Sequence, residues 1–166
     1  MKRIIIETPE SASAILVGAR WEAVEKLLPE SGATIITDNN LFRIYGDRFP
    51  ALPVIKIKPG EESKQLTVIE KLSSDLLKKG IDRSGFILAI GGGVVCDVAG
   101  FLASVYLRGI RCGYVSTSLL SQVDASTGGK TGVNLGNVKN IIGTFRQPEF
   151  VICDTTMLRT LPQDQY

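Results

Sequence analysis

Three consecutive glycines, Gly91, Gly92 and Gly93, stand between a short apolar run at 86–90 and a second apolar run that begins at Val94. The arrangement reads as a strand, a bare turn and the start of a helix. Glycine has no Cβ, so the backbone there can take positive φ and a ligand can approach the main chain closely. A helix N-terminus adds unpaired N–H groups and the positive end of the dipole, a combination suited to a phosphate or pyrophosphate. The chemistry indicated is the binding of a dinucleotide. The usual fingerprint carries a further glycine where this chain has Cys96, and no acid about 20 residues further on stands out. A tight turn between packed elements, with no ligand, is the alternative.

Other polar groups fall at similar junctions. Asp38, followed by Asn39 and Asn40, ends the apolar stretch 33–37. There it is placed to accept a hydrogen bond from a ribose hydroxyl, or else Asp38 or Asn39 caps the next helix. Lys64 precedes an amphipathic segment, where its charge opposes the helix dipole. A nearby anion would relieve that mismatch; otherwise the lysine is solvated. Asp97 suits the dipole in the first turn after the glycines. Thr117 and Ser118 offer hydroxyls at another strand-to-helix junction, as N-caps or as ligand contacts. The stretch 124–140, DASTGGKTGVNLGNVKN, combines four glycines with Lys130, Lys139, Asn134 and Asn140. It is too glycine-rich for a helix and is expected to be a long loop, functional or flexible.

The elements that must position these groups alternate in type. Strands are expected at 2–6 and 13–17, as a hairpin made irregular by Pro9, and at 33–37, 52–57, 86–90, 111–116 and 150–153. Helices are expected at 20–28, stopped by Pro29, and after Lys64, with Leu66, Ile69, Leu72 and Leu76 on one face and Lys78, Lys79 and Gly80 at the end. A largely buried helix follows the glycines, with Val94, Val98, Phe101, Leu102 and Val105 as its apolar positions. This alternation predicts an α/β fold with a mostly parallel, doubly wound, Rossmann-like sheet.

Composition excludes several functions. The 166 residues are a one-domain length, and a net charge of +2 with scattered basic residues argues against a nucleic-acid partner. No apolar run of about 18 residues is present, so no membrane span is expected, and the N-terminus lacks a signal-peptide core, which points to the cytoplasm. Cys96, Cys112 and Cys153 are odd in number and widely spaced, favouring reduced thiols. Cys96, beside a helix start, is either a reactive thiol of depressed pKa or a plain small-residue substitution. The chain has no histidine, which removes the commonest zinc ligand and the commonest general base.

Four segments taken together, GGGVVCDVAGF, YLRG at 106–109, STSLLSQVDASTGGKTGVN at 116–134 and KNIIG at 139–143, resemble the 3-dehydroquinate synthase family of the shikimate pathway. The resemblance extends over 59–162 and more loosely upstream. It implies an N-terminal Rossmann-like NAD-binding domain, here residues 1–166, with the family's helical metal-binding domain absent. NAD and a divalent metal, zinc or cobalt, would lie in the cleft between the two. The metal's glutamate and two histidines would fall beyond residue 166, so no metal ligand is expected in this chain.

By the same resemblance, Asp38 and Asn40 would meet the adenosine side of NAD, with Glu61, Glu62 and Lys64 beside them. Gly92, Gly93, Val94 and Asp97 would hold the dinucleotide at the glycine turn. Thr117, Ser118 and Lys139 would complete that contact, with Met157, Leu158, Arg159 and Thr160 at the last strand-to-helix junction. Asp124, Lys130 and Asn140 would contact a sugar-phosphate substrate, and Arg108 would reach the site of a second subunit in a homodimer. Charge-assisted donors such as Lys130 and Arg108 suit a phosphate dianion. The implied reaction is a phosphate-eliminating cyclisation of 3-deoxy-arabino-heptulosonate 7-phosphate to 3-dehydroquinate, with this piece inactive alone. A related sugar-phosphate cyclase, a metal-dependent polyol dehydrogenase and a non-catalytic nucleotide-binding module are the alternatives.

Overall fold

The computed structural model describes residues 1–8 and 12–163. Strands β1 (Lys2–Glu7) and β2 (Ala12–Val17) pair antiparallel, with Lys2 opposite Val17 and Glu7 opposite Ala12. The expected hairpin is therefore present, while Pro9 lies outside the described residues. Trp21–Leu27 forms a 3₁₀ helix with Trp21 and Val24 buried, where a longer α-helix was expected. Trp21 and Val24 are three residues apart, the spacing that a three-residue turn stacks on one side, and Pro29 prevents continuation.

Strand β3 (Ala33–Asp38) leads into helix α1 (Asn39–Tyr45), and β4 (Val54–Ile57) into α2 (Leu66–Lys78). Ile69, Leu72 and Leu76 form the buried face of α2, as their spacing requires, and Gly80 ends it at φ +71. Strand β5 (Phe86–Gly91) is buried at every position and runs into α3 (Gly93–Val105). Strands β6 (Arg111–Ser116), β7 (Lys130–Leu135), β8 (Val138–Phe145) and β9 (Phe150–Cys153) complete the chain.

Seven strands form one sheet in the order β1-β2-β9-β6-β5-β3-β4. All adjacent pairs from β2 to β4 are parallel, and only β1 runs against its neighbour. Side chains alternate between two covered faces, as a parallel sheet demands. Ile36, Ile87 and Ala89 join the core beneath α2 and α3, whereas Ile35, Phe86, Leu88 and Ile90 join Trp21, Tyr45 and Met157 on the other side. The carboxyl ends of β3, β4, β5, β6 and β9 therefore share one edge. Strand β3 is followed by β4 on one side and by β5 on the other. That reversal opens a crevice between the carboxyl ends of β3 and β5, where open α/β sheets take ligands.

The stretch 124–140 departs from its expectation. Most of it is the antiparallel β7–β8 hairpin, with Lys130 opposite Phe145 and Leu135 opposite Val138 across a two-residue Gly136–Asn137 connection. Gly136 takes φ +57, and a Gly-Asn pair between strands is itself a hairpin signal. Close packing explains only part of the glycine content: a Cβ at Gly132 would lie 2.7 Å from the Ile142 carbonyl oxygen, whereas Gly128 and Gly136 have open space around them.

Candidate functional site

The glycine turn sits at the carboxyl end of β5, at the crevice beside β3. None of Gly91, Gly92 or Gly93 uses the positive φ open to glycine. These positions instead lack a Cβ because there is little or no room for one. At Gly91 it would overlap the Val95 side chain; at Gly92 it would stand 3.2 Å from Ser118 Oγ, and at Gly93 3.3 Å from Ala125 Cβ. Gly92 caps α3 without a side chain, and the first helical bond runs from Cys96 N–H to the Gly92 carbonyl at 3.1 Å. The N–H groups of residues 93–95 thus have no acceptor within the helix, and the dipole's positive end faces the crevice.

Around this turn lie the other carboxyl-edge residues. Asp38 takes its capping alternative, accepting the Leu41 N–H at 2.9 Å, and Asn40 is exposed in the first turn of α1. Thr117 N–H donates to the Gly91 carbonyl at 3.0 Å, so the segment after β6 is fastened to the glycine turn. Ser118 Oγ bonds with Ser121 Oγ at 3.0 Å and packs against Gly92. Asp124 is exposed on the π-helical turn Ser121–Ala125 that follows.

Lys64 is not solvated. Its side chain is 4% exposed, and Nζ donates to Asp97 Oδ2 at 2.6 Å and to Asn140 Oδ1, with Glu61 Oε1 at 3.8 Å. The anion that relieves its position before α2 is Asp97, which lies in the second turn of α3 because the helix starts at Gly93, not in the first turn as expected. Burial raises the Asp97 carboxyl above its ordinary value against the opposing pull of Lys64, with Glu61 and Asp124 adding to the rise. Glu61 lies in a one-turn helix, Glu61–Ser63, reached through Gly60 at φ +96, and Glu62 beside it is exposed.

The expected residues do not all converge. Lys139 is exposed beside Asn140, while Lys130 pairs with Phe145 at the other end of the hairpin. Asn140 stands five positions along β8 from that pair, roughly 16 Å of strand. Arg108 is exposed at φ +67 beyond the far end of α3, a helix about 20 Å long, and so stands at the opposite edge of the sheet. Met157 and Leu158 are 2% and 8% exposed and face the core, leaving Arg159 and Thr160 on the surface, where the Thr160 hydroxyl bonds with that of Tyr45 at 3.0 Å.

Cys96 is 1% exposed, and burial pushes its thiol up to about 12, which removes the reactive-thiol alternative. Two residues escaped the sequence reading, and Asn134 was named there without its role as a bridge. Gln122 Nε2 bridges the carbonyls of Ser116 and Asp154 at 3.0 Å each, linking the carboxyl ends of the paired strands β6 and β9. Asp154 caps the Thr155–Thr160 turn. Asn134 links Glu61 to Asn140. An aspartate followed by two threonines is a capping signal for Asp154, but no local pattern marks Gln122 or Asn134 as bridges.

The residues present fit a dinucleotide: an uncapped helix start, a turn without Cβ groups and polar side chains at a sheet reversal. Among the described residues no group of three His, Cys, Asp or Glu could hold a metal ion.

Comparison with known proteins places this geometry in a family. The model for the N-terminal part of 3-dehydroquinate synthase matches residues 54–166. The 3-dehydroquinate synthase of Alkaliphilus metalliredigens (strain QYMF) is 40% identical over 98% of this chain and 48% of its own length. That of Shouchella clausii (strain KSM-K16) is 44% identical over 95% of this chain and 45% of its own length. The chain thus spans about half the length of the curated relatives it matches. Among solved structures, 2-deoxy-scyllo-inosose synthase complexed with carbaglucose-6-phosphate, NAD+ and Co2+ superposes with a TM-score of 0.84 at 27% identity, covering 99% of this chain and 48% of that one. The 2-epi-5-epi-valiolone synthase of Streptomyces hygroscopicus subsp. jinggangensis 5008, with NAD+ and Zn2+ bound, gives 0.82 at 25% identity, covering 96% and 47%. The match over 54–166 takes in the Glu61–Lys64 turn, the glycine turn and the hairpin, and by it the chain belongs to the 3-dehydroquinate synthase family.

Proposed function

We propose that residues 1–166 are the dinucleotide-binding domain of a 3-dehydroquinate synthase, a cytoplasmic lyase that converts 3-deoxy-arabino-heptulosonate 7-phosphate to 3-dehydroquinate and phosphate. The observation that carries this reading is the uncapped start of α3 behind Gly91–Gly93, at the sheet reversal, in a chain of this family. When bound, NAD supplies a hydride acceptor that returns its hydride within the same cycle. The N–H groups at 93–95 and the helix dipole hold its pyrophosphate. Asp38 and Asn40 border the adenosine side, and Thr117 and Ser118 line the opposite wall. Lys64 and Asp97 stand at the boundary between cofactor and substrate, where their mutual pairing orients the ammonium.

Asp124, Lys130 and Asn140 are assigned to the sugar phosphate, whose dianion matches lysine and amide donors, and Lys139 to the dinucleotide. Arg108, exposed at the other edge, is assigned to the site of a second copy in a homodimer. Among the described residues no helix is long and apolar enough to cross a membrane, in keeping with the cytoplasmic assignment. The cyclisation also draws on groups outside these residues, so the chain alone is expected to bind NAD+ weakly and to release no phosphate from substrate. Titration calorimetry with NAD+ and a phosphate-release assay test both statements. Failure to bind at millimolar NAD+ would remove the dinucleotide reading, and turnover by the chain alone would contradict the division of labour. The related cyclase structures at 25–28% identity favour a second reading, cyclisation of a different sugar phosphate. Product analysis of the complete enzyme with the heptulosonate substrate separates the two.

A further inference from the structure

The geometry points to Asn134 as a positioning residue: its side-chain amide sets the 61–64 turn and Asn140 in fixed relation around the Lys64 ammonium. This rests on the reading of 61–64 as the cofactor side of the site and of Asn140 as its substrate side.

The hairpin is irregular at this point. Val133 pairs with Ile142 and Leu135 with Val138, so Asn134 alone faces residues 139–141 of β8. Such a bulge bends the strand and re-aims a side chain. Here it delivers Asn140, at φ +54, a left-handed conformation that asparagine tolerates better than most residues. Asn134 is itself anchored to the turn: its N–H donates to the Lys64 carbonyl at 2.8 Å, and it forms a parallel bridge with Gln65.

From that anchor both ends of the amide are used. Oδ1 accepts the Asn140 N–H at 2.8 Å, and Nδ2 donates to Glu61 Oε1 at 3.0 Å. The partners leave one amide orientation, since a backbone N–H requires an acceptor and a carboxylate requires a donor. Asn140 and Glu61 are in turn two of the three groups around Lys64 Nζ, with Asp97 as the third. A 4%-exposed ammonium tolerates no loss of partners without cost, so whatever holds Asn140 and Glu61 holds the site's central cation.

The test is a double-mutant cycle on this chain, read by NAD+ calorimetry. Asn134→Asp keeps the acceptor for Asn140 but sets a carboxylate against Glu61, and is expected to weaken NAD+ about tenfold. In a Glu61→Gln background, where an amide can donate to the new carboxylate, the same change is expected to cost less than about threefold. Equal losses in both backgrounds, or no loss in the first, would overturn the assignment. A second arm needs no ligand. Asn134→Ala is expected to speed hydrogen exchange of the Asn140 amide about tenfold while β5 amides keep their protection. Unchanged exchange at Asn140, or loss of protection throughout β5, would overturn the positioning role in favour of none or of a merely structural one. If the parent chain binds no NAD+, the dinucleotide reading falls and the exchange arm alone decides the role of Asn134.

Discussion

Asp154 and Asp97 lie at the same edge of the sheet, both withdrawn from solvent, and are held in opposite ways. Asp154, 3% exposed in its side chain, accepts the Trp21 N–H at 2.9 Å, the Thr156 N–H at 2.9 Å and the Thr156 hydroxyl at 2.6 Å, with Arg20 at 3.7 Å. Burial alone would raise its pKa, but these donors outweigh it and the value is lowered. Asp97, 20% exposed, has one hydrogen-bonding cation, Lys64, which it shares with Asn140, and burial leaves its pKa raised. A buried acid with all its donors built in serves the fold. One left short of donors beside an uncapped helix start is suited to a site.

The sharpest way to break this contrast is Asp154→Ala. It strands two backbone N–H groups and is expected to cost about 3 kcal/mol of stability by urea denaturation. Asp97→Asn keeps an acceptor for Lys64 and removes an ionised form that burial disfavours. Because it also takes the nearest counter-charge from a buried ammonium, with Glu61 left at 3.8 Å, it is expected to cost about 1–2 kcal/mol, less than Asp154→Ala, while lowering NAD+ affinity about tenfold. Equal destabilisation by the two changes would erase the distinction.

The pH dependence sharpens it further. The folded value of Asp154 is lowered, so its contribution is complete above the ordinary carboxylate range and is lost as pH falls through the lowered value. The folded value of Asp97 is raised, so its contribution is largest below that range and is lost as pH rises through the raised value. Urea midpoints measured from about pH 3 to pH 7 should therefore show the parent losing ground to Asp154→Asn on acidification and gaining on Asp97→Asn. Parallel curves would contradict both assignments.

The smallest effect concerns the thiol next to Asp97 in sequence. With its pKa pushed to about 12, Cys96 should react with maleimide in the folded chain far more slowly than a free thiol, as followed by mass spectrometry at neutral pH. Labelling at the free-thiol rate would mean that the helix start is open to solvent.

Much of the architecture was legible because apolar runs and the spacing of apolar residues are local features of the sequence. The apolar run at 86–90, the spacing of Ile69, Leu72 and Leu76, and the paired strands at the N-terminus each became the expected element. The hairpin was missed because four glycines without clear periodicity were read as a long loop, when Gly132 marks a close approach to the β8 backbone and Gly136 the turn. The turn at 91–93 was located from its missing Cβ groups, but what they make room for was not: its glycines answer to Val95, Ser118 and Ala125 and leave positive φ unused.

The amino-acid order alone therefore determined the alternation of strands and helices, the bare turn at a helix start and the absence of any histidine, because each is a property of neighbouring residues. Only the tertiary structure decided that Lys64 would be buried against Asp97, 33 positions away, and Asn140, 76 positions away. Periodicity reports which face of a segment turns inward. Which faces then meet depends on sheet order and on the hairpin's bulge, and these arise from the packing of distant segments in a single core.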